Sequence, residues 1–273
     1  MRLTARYYRQ HDADLHAEVP AEAFHGWTAR EVDLPKEESA LVCMHFWNPG
    51  LDARLPFGPD SPYAGWYRVV EYLPRAMRIT QEVMPQLLAA ARAAGLPVIH
   101  VATHRYADRY PGYAVTQGLA GEPPPPPEGA VATAAREAWE AARYGLIHGE
   151  HNVADIDAGW QHIDFPPQMK PRDDEPVAVD AHQLNAVCRE RGVWHLIYCG
   201  FAINWCLLLS PGGMVDMHRL GYTCSAIRDA VTAVEQKESA RAELSKEAAL
   251  RRVGMLFGLV FTSADLIAAL RGG

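Results

Sequence analysis

Residues 182–209 read HQLNAVCRERGVWHLIYCGFAINWCLLL, and this stretch decides the fold. HQLNAVCRERG reads as a helix closed by Gly192, since glycine after the last periodic residue is a helix stop. VWHLIYCG (193–200) is a short, bounded apolar run, the pattern of a strand buried on both faces. INWCLLL then opens another helix, interrupted by SPGGM. Downstream, GYTCSAIRDA (221–230) is a strand, 233–252 a charged helix, and MLFGLVFT (255–262) the last strand. SADLIAAL closes the chain as a helix with Ser263 as its N-cap. Upstream, EPVAVD (175–180), LPVIHVATH (96–104) and ALVCMHF (40–46) read as three more strands. Between the last two, residues 73–94 carry Met77, Ile79, Val83, Leu87 and Leu88 at helical spacing and stop at Gly95. Pro85 kinks this helix or divides it. Six strands alternate with at least five helices, the grammar of a doubly wound, Rossmann-like α/β domain with a parallel sheet. The expected strand order is 3-2-1-4-5-6.

Two segments fall outside that grammar. Residues 1–38 are polar and aromatic and read as an N-terminal extension, with room for a short hairpin, lying on a single domain of 39–273. Residues 105–175 hold PPPPP (123–127), HGEH (148–151) and DFPPQ (164–168). They read as a Pro-rich insertion with one helix at about 131–144, because proline runs favour the extended polyproline form.

Composition bounds the function. The 273 residues carry a formal charge of −7, with 22% charged and 49% hydrophobic residues. No Lys/Arg-rich block offers phosphates a partner, which argues against nucleic acid. The longest apolar run, near LVCMHFW, is far short of a membrane span. No signal peptide is visible, and a cytoplasmic location is the expectation. Five cysteines, at 43, 188, 199, 206 and 224, include no CxxC pair. That excludes a disulfide scaffold and a Cys-type zinc site.

Ligands of an open parallel sheet bind beyond the carboxyl ends of its strands. His45, Phe46 and Trp47 follow the first strand there, and His104 follows the second. Asp180 and His182 follow the third, and Cys206 follows the fourth. Cys206 falls at the first turn of a helix, where a partial positive charge lowers a thiol's pKa and free N–H groups can hold an oxyanion. The other four cysteines lie inside strand or helix patterns and read as buried thiols. Phe46, Trp47, Tyr106, Tyr110, Tyr113 and Trp205 cluster at the same edge. HGEH lacks zincin spacing and reads as a solvated loop. Gly212 and Gly213 sit in no phosphate-loop motif and read as a helix kink or a bend beside Cys206.

Residues 39–104 and 175–271 resemble the isochorismatase-like cysteine hydrolases. Gly200-Phe201-Ala202-Ile203-Asn204-Trp205-Cys206 is similar to that family's Gly-x-x-Thr-x-x-Cys, with Ile203 in place of the Thr. GYTCSAIRDAVTAVE and LVFTSADLIAAL resemble two later family segments. The resemblance implies a cis peptide at Phe201–Ala202 beside the oxyanion site. It also exposes departures: His45 stands where the family's Asp base belongs, Trp47 replaces its Gln, and its Lys is missing.

The expectation is therefore a thiol-dependent hydrolase of small amide-like substrates. Cys206 attacks, His45 moves the proton, Asp180 orients His45, and the N–H groups of Ala202 and Cys206 hold the oxyanion. Trp47, His104, Trp205 and His182 are the expected pocket. No cofactor or metal is implied, although His45, His104 and His182 define a metal-assisted alternative. The other alternative is an inactive scaffold that kept the fold. The expected partners are a small-molecule substrate and further copies of the chain, as a dimer or tetramer.

Overall fold

The computed structural model describes residues 1–125, 128–129 and 131–272. The eight strands are β1 (Arg2–Arg9), β2 (Gly26–Asp33), β3 (Ser39–Met44), β4 (Val98–Val101), β5 (Val177–Ala178), β6 (His195–Phe201), β7 (Thr223–Thr232) and β8 (Val260–Phe261). They form one sheet in the order β2-β1-β8-β7-β6-β3-β4-β5. The six strands from β3 to β8 pair in parallel. Counted among themselves, they run 3-2-1-4-5-6 from the β5 edge, a doubly wound sheet. β3 and β6 lie side by side at its centre, with Met44 opposite Gly200.

All six residues of β3 and all seven of β6 are buried. Neither strand alternates, because helices cover both faces of the sheet. Ala40, Val42 and Met44 point to one apolar layer with Leu184, Leu196 and Leu207. Leu41 and Cys43 point to the other, with Leu87, Ile197 and Leu266.

The helices are α1 (Ala64–Val69), α2 (Leu73–Arg78), α3 (Met84–Ala93), α4 (Pro111–Ala120), α5 (Ala134–His148), α6 (Glu150–Trp160), α7 (Ala181–Glu190), α8 (Cys206–Leu209), α9 (Met214–Arg219), α10 (Leu244–Arg252) and α11 (Ser263–Arg271). The expected 73–94 helix is divided: a π turn over Ile79–Val83 separates α2 from α3, and Pro85 lies in the first turn of α3. Proline has no N–H to give the preceding turn, so the widened turn falls just before it.

Several expectations are corrected. Residues 1–38 hold the short hairpin they had room for, and it extends the sheet. β1 and β2 form a hairpin in full register from Arg2↔Asp33 to Arg9↔Gly26, and β1 pairs antiparallel with β8 at Arg6↔Val260. The sheet therefore has eight strands rather than six. The insertion contains α4, α5 and α6 rather than one helix, and HGEH is no loop. His148 ends α5, Gly149 turns the chain at φ 82°, and Glu150 starts α6. The last two residues of the proline run lie outside the described residues. The strand expected over 255–262 shrinks to Val260–Phe261, because a π turn (Val253–Phe257) extends α10 instead. Thr262, not Ser263, caps α11, its hydroxyl accepting from the Asp265 N–H. Among the described residues no helix is long and apolar enough to cross a membrane.

Candidate active site

His45 follows β3 directly. Its N–H donates to Val101 O of the neighbouring strand at 3.0 Å, and its backbone is left-handed, φ 54°. A non-glycine residue in that region is uncommon. The ring is 7% exposed and stacks on Trp47, centroids 5.5 Å apart and planes at 22°. Nδ1 has no hydrogen-bond partner. Burial pulls the imidazole down to about 4, against an opposing hydrogen bond with the Ala102 backbone. The ring is therefore neutral at physiological pH and offers a free lone pair or N–H.

Cys206 opens α8, one turn beyond β6. It is half-buried, while Cys43, Cys188, Cys199 and Cys224 are buried. The Phe201–Ala202 peptide is cis. Contrary to the sequence expectation, burial pushes the Cys206 thiol up from its ordinary value. Hydrogen bonding from the Ser210 side chain and from the backbone of Ala202 and Cys206 opposes that shift only in part. The physical reason is desolvation, which outweighs those hydrogen bonds. The interruption after α8 is a bend: Gly212 (φ 80°) presents its carbonyl to the Tyr198 hydroxyl at 2.8 Å. A Cβ at Gly213 would come within 2.9 Å of Cys206 O.

Asp180 is the N-cap of α7, and its carboxylate accepts from the Gln183 N–H at 2.8 Å. It makes no hydrogen bond to His45, from which it is separated by β4 in the sheet. The structure thus brings His45 and Cys206 to the ends of neighbouring strands and leaves the Asp180 carboxylate on its helix. His104 is exposed. His182 lines a groove between α4 and α7 with Leu119 and Asn185. Trp205, 53% exposed, lies beside Cys206 at the surface. His100 is a core residue, its Nε2 2.9 Å from the buried Glu175 carboxylate, which also takes two bonds from Arg92.

Of the aromatics expected at this edge, Trp47, Tyr106, Tyr110 and Tyr113 share one layer, and the sequence reading missed the partners Trp66, Trp160 and Phe165. Trp47 joins Trp66 and Trp160 in an edge-to-face cluster with centroids 4.6 to 6.4 Å apart. Tyr106, Tyr110 and Phe165 extend the same layer. It is latched by Asn48 and Asp164. Asn48 N–H donates to Asp164 O at 3.1 Å, and Asp164 N–H donates to Asn48 Oδ1 at 2.9 Å. The Asp164 carboxylate accepts from Tyr110 Oη and from Arg54 Nη1, both at 2.7 Å. Burial alone would raise its pKa, but these bonds hold it below the usual carboxylate range. A depressed carboxylate stabilises the fold above its unfolded pKa, and that contribution is lost as pH falls through the folded value. Asp164→Asn is therefore expected to cost about 2–4 kcal/mol at pH 7 and progressively less as pH falls below the usual carboxylate range, as read by urea unfolding across an acid pH series. A cost independent of pH would remove the carboxylate's charge from the latch.

An isochorismatase domain model matches residues 69–265. The chain belongs to this family. Among solved structures, the isochorismatase domain is similar to a cysteine hydrolase from Pseudomonas syringae pv. phaseolicola, at 17% identity over 88% of this chain and 95% of that one, TM-score 0.49. It is similar to an isochorismatase family protein from Burkholderia thailandensis, at 18% identity over 86% and 96%, TM-score 0.44. It is also similar to the YcaC gene product of Escherichia coli, described as an octameric hydrolase of unknown specificity, at 13% identity over 90% and 85%, TM-score 0.44. No curated protein matches the isochorismatase domain.

Proposed function

We propose that the protein is a cysteine-dependent hydrolase of a small amide-like substrate. The observation that carries this reading is the placement of Cys206: a half-buried thiol at a strand's carboxyl end, among four fully buried ones. The Cys206 sulfur attacks the carbonyl carbon, and the backbone N–H groups of Ala202 and Cys206 receive the oxyanion. His45 takes the thiol proton and delivers it to the leaving nitrogen as the C–N bond breaks. Water then cleaves the thioester, releasing the acid and restoring the thiol. Because the imidazole is neutral and the thiol pKa is raised, the resting pair is uncharged, and His45 acts as a general base rather than as half of an ion pair. Trp47 forms the inner wall of the site and Trp205 its rim. Small substrates and assembly of like chains complete the reading.

A base must be neutral to accept a proton. Activity limited by His45 is therefore flat above about pH 5 and falls as pH drops through the His45 value of about 4. His45→Ala is expected to lower kcat by about 10²–10⁴ and to remove this acid limb, measured by hydrolysis of a panel of small amides. A variant hydrolysing at the parent rate excludes His45 as the base.

The unpartnered His45 Nδ1 and the capped Asp180 favour a second reading, an inactive family member acting as a scaffold. In that case no amide or ester in the panel turns over, and iodoacetamide modifies Cys206 no faster than its raised pKa dictates.

A further inference from the structure

We propose that the tip of the β1–β2 hairpin is a divalent-metal site made by His11, Asp12 and His25. It is independent of the hydrolase reading, because β1 is separated from β6 by β8 and β7. His11 and Asp12 lie just beyond β1, and His25 immediately precedes β2. The Arg9↔Gly26 pair closes the ladder between them, so residues 14 positions apart stand face to face.

Both imidazoles address one carboxylate oxygen. His25 Nε2 lies 3.0 Å from Asp12 Oδ2, and His11 Nε2 lies 3.6 Å from the same atom. One ligand atom from each residue falls within 4.8 Å of the other two. A tetrahedral ion with bonds of ~2.1 Å separates its ligands by roughly 3.4 Å, and the two observed distances bracket that edge. Asp12 holds a left-handed backbone, φ 63°. The ring centroids are 4.9 Å apart.

A neighbouring cation stands where a metal would bind. Arg9 Nη2 lies 3.1 Å from His11 Nε2. A guanidinium only donates, so this nitrogen carries a lone pair, as a metal ligand must. Arg9 is thereby the cation that a metal displaces. Two imidazoles and a carboxylate suit Zn²⁺, Ni²⁺ or Cu²⁺ rather than the oxygen-seeking Ca²⁺ or Mg²⁺. The cluster is exposed, so water fills the remaining positions. The ion would clip the loop of residues 10–25, which is otherwise held by short turns such as Asp14 N–H to Pro20 O at 3.2 Å.

The test uses the full chain, freed of any purification tag, titrated calorimetrically with Zn²⁺ and followed by Co²⁺ absorption. One ion per chain is expected, without thiolate charge-transfer bands. His11→Ala with His25→Ala is expected to weaken binding at least tenfold. Arg9→Ala is expected to tighten it several-fold, by removing the competing cation. Hydrogen exchange of residues 10–25 slows with Zn²⁺ in the parent and not in the double variant. Absence of binding by the parent, or one ion retained by the double variant, overturns the site and leaves the cluster as hydrogen bonds alone.

Discussion

Gly200→Ala is expected to abolish folding. An added Cβ would lie 1.8 Å from Met44 O and 2.8 Å from Met44 C. Both are backbone atoms of the strand paired with β6, so no side chain can move aside. The residue also sits at φ 128°, a conformation that costs a non-glycine residue on the order of 1–3 kcal/mol. Relief requires β3 and β6 to separate at the sheet's centre. The expected loss exceeds ~4 kcal/mol, a large share of the roughly 5–15 kcal/mol a domain of this kind has to lose. Soluble yield and the urea midpoint report it. Gly118→Ala is the control. Gly118 lies on exposed α4 with open space around its Cα, and alanine there is expected to add up to about 1 kcal/mol through helix propensity. A Gly200→Ala protein with the parent's midpoint would refute the close β3–β6 approach.

Cys206→Ala is expected to remove hydrolysis by a factor of ~10⁴ or more, the usual consequence of deleting a nucleophile that acts with its base as a unit. The same variant separates chemistry from stability. In the folded parent, iodoacetamide is expected to modify one thiol per chain, Cys206, while Cys43, Cys188, Cys199 and Cys224 react only on unfolding. The rate rises with pH through the thiol's elevated pKa and shows no plateau near neutrality. Cys206→Ala then leaves the native protein unlabelled, as mass spectrometry of the intact chain shows. First modification at another cysteine, or hydrolysis surviving in Cys206→Ala, would remove the sulfur from the mechanism.

The βα alternation was readable because buried parallel strands announce themselves as short apolar runs bounded by glycine and proline. That reading placed β3, β4, β6 and α7, and with them the strand ends that carry His45, Asp180 and Cys206. It could not show where the Asp180 carboxylate would be used. Capping α7 and orienting an imidazole call for the same residue type, and only geometry separates them. The thiol's raised pKa was equally hidden: it depends on burial, which the residues around Cys206 do not signal. The hairpin was allowed for, but its place in the sheet was not, because the alternating RLTARYYR and GWTAREVD are half-exposed strands without an apolar run. The aromatic layer over the site was legible only in part. Trp66 and Trp160 are far apart in sequence and meet because α1 packs on α6, with the Gly65 N–H donating to the Asp155 carboxylate at 2.8 Å.

The pairing of β1 with β8 bears on the order in which the chain assembles. β1 and β2 are joined by the loop of residues 10–25 and pair in full register, a contact that closes a far shorter stretch of chain than the pairing with β8. Their seat is the penultimate element of the chain, with Arg6 opposite Val260 and ion-paired to Asp265 at 2.7 Å. Contacts of such sequence separation carry a large loop-closure entropy and form late. The hairpin is therefore made before β8 and α11 and incorporated after them. It waits as a free ribbon until the C-terminal strand and helix exist to receive it. The hairpin then covers the β8 edge of the parallel strands, so its docking joins Arg6 to Val260 and Asp265 and makes the sheet eight-stranded.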